Sequence, residues 1–511
     1  MPNNPLVLAP VFIPLLFAVL TLGVARVNTN NNTAQRYVAL LGSAIGTAFA
    51  LVILGQNWMI AQAGDAQGAV QVYRLGGWQP PYGIIFTVDL LSSIFAAMSS
   101  VVVTAGILYA VRCKDKCVTY PAFMPLFLCM GGSLIGCFYT GDIFTLFVFL
   151  ELMVLSSVVL VAISDNKLGL EAAIKYLMIS ATGTLFLLIG IAALYATFST
   201  LNFADIARLL QTGERPLLAQ AATVMLGAVF LVKSAVFPFH FWQPDFHTTA
   251  PTPVHSVLSS VVVKVGVYGL LRMITLLFTE EAALINQILM LLGIVGIFFG
   301  SLGALQTYDA KRMLAYSTFG QIGFILVGIG WNNPIALIGA IIYAVNHAFI
   351  KSAMLMLVGV VSSRNTMKTA KIKHIAGVGK PFPLVGILYF LGGMALAGVP
   401  PLNGFISKLA LVRGGIETHE WLALGLAVAA GMITLLYVTR TYVLMFQQQP
   451  NADSATIKEK GMGDSAFAPF LLISLCVLLG IFATPLVELV TLAVSQMSDP
   501  YIYIRAVLGA L

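Results

Sequence analysis

Residues 230–272 read FLVKSAVFPFHFWQPDFHTTAPTPVHSVLSSVVVKVGVYGLLR. Two lysines, Lys233 and Lys264, stand in runs apolar enough to lie in a membrane, with a Pro/His/aromatic break between them. A lone ammonium at bilayer depth costs at least a few kcal/mol, so such groups face a protein interior or a water-filled path. Pro238 removes a helical hydrogen bond shortly after Lys233, and non-helical backbone at that depth is tolerable only when buried in protein or lining a cavity. The stretch reads as a conduit for a cation.

Working outward, 59% of the 511 residues are hydrophobic and 9% are charged, which places the chain in the polytopic membrane class. The net charge of +7 would suggest nucleic acid in a soluble protein. Here most cations fall in short loops, where they orient helices, so no nucleic-acid partner is expected. The first apolar run is long and lacks a basic leader or a small-residue cleavage site, and reads as a span.

Apolar runs of about 20 residues fall near 6–25, 37–56, 84–111, 121–140, 143–163, 170–196, 219–246, 250–277, 284–305, 312–330, 334–361, 382–412, 420–447 and 465–494. That predicts an all-α polytopic membrane protein of about fourteen transmembrane helices. The seventh and twelfth runs, around Pro238 and Pro400-Pro401, are long enough to be broken into half-helices. With both termini extracytoplasmic, Arg26, Arg36, Arg112, Lys114, Lys116, Lys167, Lys175, Lys311, Arg312, Arg364, Lys368, Lys371, Lys373, Lys380, Arg440, Lys458 and Lys460 become cytoplasmic. Only Arg74, Arg208, Arg215, Arg272, Arg413 and Arg505 then lie outside. Lys233, Lys264, Lys351 and Lys408 remain, inside the membrane.

VQVYRLGGWQPPYGI suggests an extracytoplasmic hairpin, and LNFADIARLLQ a surface helix. A lysine and a proline break at Lys233 and Pro238 recur in reversed order at Pro400, Pro401 and Lys408. Paired interrupted helices of this kind point to two related halves around a transport path. The division expected is 1–120 for helices one to three with the hairpin, 121–280 for a first repeat (helices four to eight), 281–447 for a second (helices nine to thirteen), and 448–511 for helix fourteen and the tail.

Glu151 sits in the middle of the fifth run. It either pairs with a buried lysine as a structural tie or tunes Lys233 toward holding or releasing a proton. His347 and Lys351 stand four apart, on one helix face, and two ionisable groups on one intramembrane face need a common polar lining. His240 follows the break directly, and either plugs the freed carbonyls or carries protons. Lys408 either snorkels to the interface or mirrors Lys233. His247 and His255 read as ordinary polar residues nearer a loop, and Asp142 and Asp309 as helix caps.

The sequence carries no Walker loop, dinucleotide fingerprint, CxxC pair or serine-triad context, so no cofactor or metal is expected. Cys113 and Cys117 bracket CKDKC without a second ligand pair nearby. Any energy would come from an ion gradient or from partner subunits.

SLGALQTYDAKRMLAYSTFGQIGF at 301–324, GVPPLNGFISKL at 398–409 and the stretch from Lys233 to Lys264 resemble the antiporter-like subunits shared by Mrp cation/proton antiporters, respiratory complex I and membrane-bound hydrogenases. The resemblance covers most of the chain. It implies two inverted five-helix repeats with discontinuous helices seven and twelve, in one subunit of a larger membrane complex in the cell's inner (cytoplasmic) membrane. It also implies a proton relay through Glu151, Lys233, Lys264, His347, Lys351 and Lys408, with His240 a further candidate. RLGGWQPPYGI and GDIFTLFVFLELMVLSS look most like the Mrp D-type subunit, as does a chain ending soon after its last span. FPFH followed by a proline is also typical of the complex I and hydrogenase relatives.

The expected function is therefore the proton-translocating subunit of a multisubunit sodium/proton antiporter, its partners other membrane subunits, the bilayer, protons and sodium. The alternative is a pump subunit powered by a redox module, with no redox centre of its own in either case. A self-sufficient solute carrier is disfavoured, because the intramembrane polar residues are ionisable and strung over several helices rather than grouped around a substrate.

Overall fold

The computed structural model describes residues 3–27, 32–213, 216–365, 369–450 and 463–509. Arg215, Lys368, Lys458 and Lys460 lie outside the described residues. The chain opens with α1 (Ala9–Val27) and α2 (Thr33–Gln62), then an antiparallel hairpin of β1 (Gln71–Arg74) and β2 (Ile85–Val88). There follow α3 (Leu90–Val111), α4 (Phe123–Tyr139), α5 (Ile143–Ala162), α6 (Lys167–Phe198) and α7 (Phe203–Thr212). Next come α8 (Leu217–Lys233), α9 (Gln243–Thr249), α10 (Thr252–Val257), α11 (Val263–Arg272), α12 (Ala282–Gln306), α13 (Ala310–Gly330), α14 (Pro334–Ser362) and α15 (Ile372–Ile375). The last are α16 (Pro383–Ala397), α17 (Asn403–Glu417), α18 (Trp421–Tyr442), α19 (Phe467–Ile481), α20 (Thr484–Met497) and α21 (Pro500–Leu508).

Each apolar run of the sequence is helical over most of its length. Among the described residues ten helices are long and apolar enough to cross a membrane, while α4, α8 and α16 are shorter apolar helices. A π-helical turn, Leu258–Val262, joins α10 to α11 within one span, just before Lys264. Short polar side chains start the helices by accepting orphan backbone N–H groups. Asp89 caps α3 through Ser92 (2.9 Å), Asp142 caps α5 through Thr145 (2.6 Å), and Asp309 caps α13 through Arg312 (3.0 Å).

Both predicted breaks are present. Helix α8 ends at Lys233 and α9 resumes at Gln243; α16 ends at Ala397, where Gly398 turns left-handed at φ +83°, and α17 starts at Asn403. The structure departs from the sequence reading in three places. Residues 85–88, expected in the third span, form β2, whose apolar side chains are buried against β1 and the end of α4 rather than facing lipid. The last run bends by 79° between α19 and α20, where Pro485 cannot donate to the turn before it. Arg272, expected in an outer loop, lies buried in α11 and pairs with Asp89 at 2.6 Å.

The helices α10–α11 and α14 are buried along their whole apolar length and form the centre. The peripheral helices show lipid-compatible faces, with Leu16, Met178, Leu291 and Met432 each more than half exposed.

Candidate functional site: a buried ionisable axis

Each of the four lysines finds a polar partner inside the helix bundle. Lys233, the last residue of α8, is 7% exposed, and its Nζ donates to Ser180 Oγ of α6 at 2.5 Å. One turn along α6, Thr184 Oγ1 donates to Glu151 Oε1 of α5 at 2.5 Å. Glu151 and Lys233 therefore do not form the direct ion pair considered from the sequence. Two hydroxyls on adjacent turns of α6 stand between them. A cavity of about 10 Å³, roughly the room of one water, adjoins Lys233, Ser180 and Tyr176.

Gly266 lets α11 press on the end of α8. A Cβ there would strike Ser234 Oγ and the Phe230 carbonyl. This close approach places Lys264 at the centre, fully buried, where its Nζ lies 2.5 Å from His347 Nδ1 of α14. His347 and Lys351 share one face of α14, as their spacing predicts, and Lys351 Nζ donates to the Leu314 carbonyl of α13 at 2.9 Å.

Beyond His347 runs a network that the sequence reading did not single out. Tyr343 Oη donates to Gln321 Oε1 at 2.5 Å, and Tyr437 Oη meets Ser317 Oγ at 2.8 Å and Gln321 Nε2 at 3.4 Å. Asn346 and Asn403 exchange two hydrogen bonds, of 2.9 and 3.1 Å, tying α14 to the start of α17. A second cavity of about 10 Å³ lies between His347, Asn346 and Ser407. Lys408 follows, donating across the break to the Ala397 carbonyl at 2.7 Å and standing over the Phe324 ring at 5.2 Å. It turns inward instead of snorkelling.

His240 is not part of this chain of contacts. It sits in a box of Phe237, Phe299 and Phe319, with its Nδ1 buried and without a hydrogen-bond partner. His247 and His255, read from the sequence as ordinary polar residues near a loop, are both fully buried and stacked on each other at 4.6 Å. Among the described residues no cluster of three or more His, Cys, Asp or Glu is grouped to hold a metal ion.

Amines, an imidazole and hydroxyls, with two cavities of about one water's size among them, suit the movement of protons. Each group passes a proton by taking one and giving one up, without a bound substrate.

Residues 140–434, more than half of the chain, match the family described as NADH:quinone oxidoreductase/Mrp antiporter, transmembrane. The chain belongs to this family. Among NADH:quinone oxidoreductase/Mrp antiporter relatives, the D-type subunit of the Na+/H+ antiporter of Bacillus subtilis is 30% identical over 99% of both chains. Chains of two solved structures superpose over 99% of this chain and 100% of theirs. A chain of the Mrp complex from Dietzia sp. DQ12-45-1b gives a TM-score of 0.86 at 25% identity. A chain of the membrane-bound sulfane sulfur reductase, an archaeal respiratory membrane complex, gives 0.88 at 27%.

Proposed function

We propose that this chain is the proton-translocating subunit of a multisubunit Na+/H+ antiporter, moving protons along Glu151, Lys233, Lys264, His347, Lys351 and Lys408. The observation that carries the reading is the contact of Lys264 with His347, both essentially unexposed, with Lys351 one turn further along the same helix. The full-length likeness to the D-type member of a sodium/proton antiporter supplies the exchanged ion.

The proposed repeats, 121–280 and 281–447, each begin with a helix pair joined at a capping aspartate. Asp142 bridges to Asn202 after α6, and Asp309 bridges to Lys371 after α14, so the same tie recurs in both halves. The orientation that fits the loop cations puts both termini outside the cytoplasm, in the inner membrane of a bacterium.

A second reading, a pump subunit of a redox-driven complex, is favoured by the equally good superposition on the sulfane sulfur reductase chain. Mass spectrometry of the complex co-purifying with the tagged chain separates the two. Small membrane subunits together with sodium-dependent proton movement in vesicles support the antiporter. Iron-sulfur proteins in the same complex would replace it with the redox-driven pump.

A further inference from the structure

On α6, Ser180 and Thr184 stand four residues apart and so face the same way on consecutive turns. Both are buried, at 3% and 5% exposure, and each carries one hydroxyl hydrogen. Thr184 Oγ1 has two acceptors in reach for that one hydrogen, Glu151 Oε1 at 2.5 Å and the Ser180 carbonyl at 2.9 Å. A hydroxyl also accepts. With Glu151 ionised, Thr184 aims its hydrogen at the carboxylate; with Glu151 protonated, it turns to the Ser180 carbonyl and accepts from the carboxyl. Ser180 Oγ does the same for Lys233, accepting from the ammonium at 2.5 Å and able to donate to the neutral amine. The link is therefore satisfied in either protonation state at each end.

The lysine is steered into this arrangement. Its stem runs beside Gly183, where an added Cβ would lie 3.9 Å from Lys233 Cε, and the amine beyond it reaches Ser180 rather than Thr184. Serine and threonine inside a helix often do no more than bond the carbonyl one turn back, and that needs no charged partner. Here each also meets an ionisable group from a different helix, α8 for Ser180 and α5 for Thr184. The titratable groups around the link are Glu151 of α5, Lys233 of α8, Cys137 of α4 and Tyr176 of α6, whose hydroxyl meets Ser157 at 3.0 Å.

We propose that Ser180 and Thr184 are positioning residues for proton transfer at Lys233, holding its amine and the Glu151 carboxylate apart so that the pair does not close. An ammonium in direct contact with a carboxylate holds its proton more tightly. Kept two hydroxyls away, Lys233 can give its proton up. The proposal deepens the reading that Lys233 belongs to the proton axis, and rests on it.

The test is sodium-driven proton exchange by the whole complex in proteoliposomes, followed against pH. Ser180→Ala frees the amine, and Thr184→Val frees the carboxylate, to close the pair. Each is expected to move the pH profile about one unit toward higher pH, the lower end for an opposite charge brought close, and so to slow exchange about 10-fold on the acid limb. Ser180→Thr and Thr184→Ser keep the hydroxyl and are expected to restore the wild-type profile. A slower rate with an unmoved profile, or conservative variants as impaired as the hydroxyl-free ones, would show a packing role and overturn the proposal. A shift toward lower pH would overturn it too, because the hydroxyls would then only be solvating the ammonium. In either case an inactive Lys233→Ala leaves the axis standing. Normal exchange in Lys233→Ala would remove the axis and the proposal with it.

Discussion

The ion pair between Asp89 and Arg272 holds α11, and with it Lys264 two turns away, against the start of α3. Asp89 Oδ1 accepts from Arg272 Nη2 at 2.6 Å and from the Ser92 N–H at 2.9 Å. Asp89→Asn keeps a cap oxygen and removes the charge. Removing one member of a buried pair costs about 3–5 kcal/mol, because the other is left uncompensated. Arg272 keeps Ser92 Oγ at 2.8 Å, Tyr268 Oη at 3.0 Å and the Tyr268 and Tyr503 rings, so the lower end, about 3 kcal/mol, is expected. Adding Arg272→Met removes the stranded charge and should recover most of the loss. The assay is denaturation of the purified complex across wild type, both single variants and the double. An Asp89→Asn complex as stable as wild type, or a double variant no better than that single one, would refute the reasoning. The pair also predicts a pH dependence. Burial pushes the Asp89 carboxyl up, but the Arg272 guanidinium beside it pulls it further down, to a net position below the usual carboxylate range. A depressed carboxylate stabilises fully above its unfolded value of about 4, and that contribution is lost only as the pH falls below this toward the folded value.

Gly404→Ala should destabilise the second break by about 1–3 kcal/mol, since its Cβ would overlap the Ala395 carbonyl; Gly425→Ala, with open space around it, should be neutral, and the yield of assembled complex compares them. Cys113 is 4% exposed, and burial followed by the nearby Asp464 carboxylate pushes its thiol well above the ordinary value. It should therefore resist maleimide in intact membranes at neutral pH and become reactive in Asp464→Ala. His347→Leu should leave the complex assembled while lowering sodium-driven proton exchange by about 100-fold, because it removes the titratable ring in contact with Lys264.

Much of this architecture was legible in the sequence because a membrane makes charges and prolines conspicuous. Lys233, Lys264, Lys351 and Lys408 announced themselves as ammonium groups in apolar runs, and Pro238 and Pro400-Pro401 as breaks. Contacts that depend on convergence left no local signal. Nothing in the sequence says that Thr184 and Ser180 separate Glu151 from Lys233, that Arg272 finds Asp89, or that Asp464 accepts from Tyr109. His247 and His255 read as ordinary polar residues because they stand close to the gap between the seventh and eighth runs, whereas packing carried both into the interior. His240 was open between a plug of the freed carbonyls and a relay, and its position after the break gave no sign of the aromatic rings that surround it.

The central claim is that protons move along the lysine axis, and the measurement that reaches it most directly is sodium-driven proton exchange by the complex carrying Lys233→Ala together with Lys408→Ala, reconstituted in vesicles. The account predicts an assembled complex without exchange. Intact exchange in the double variant would contradict it.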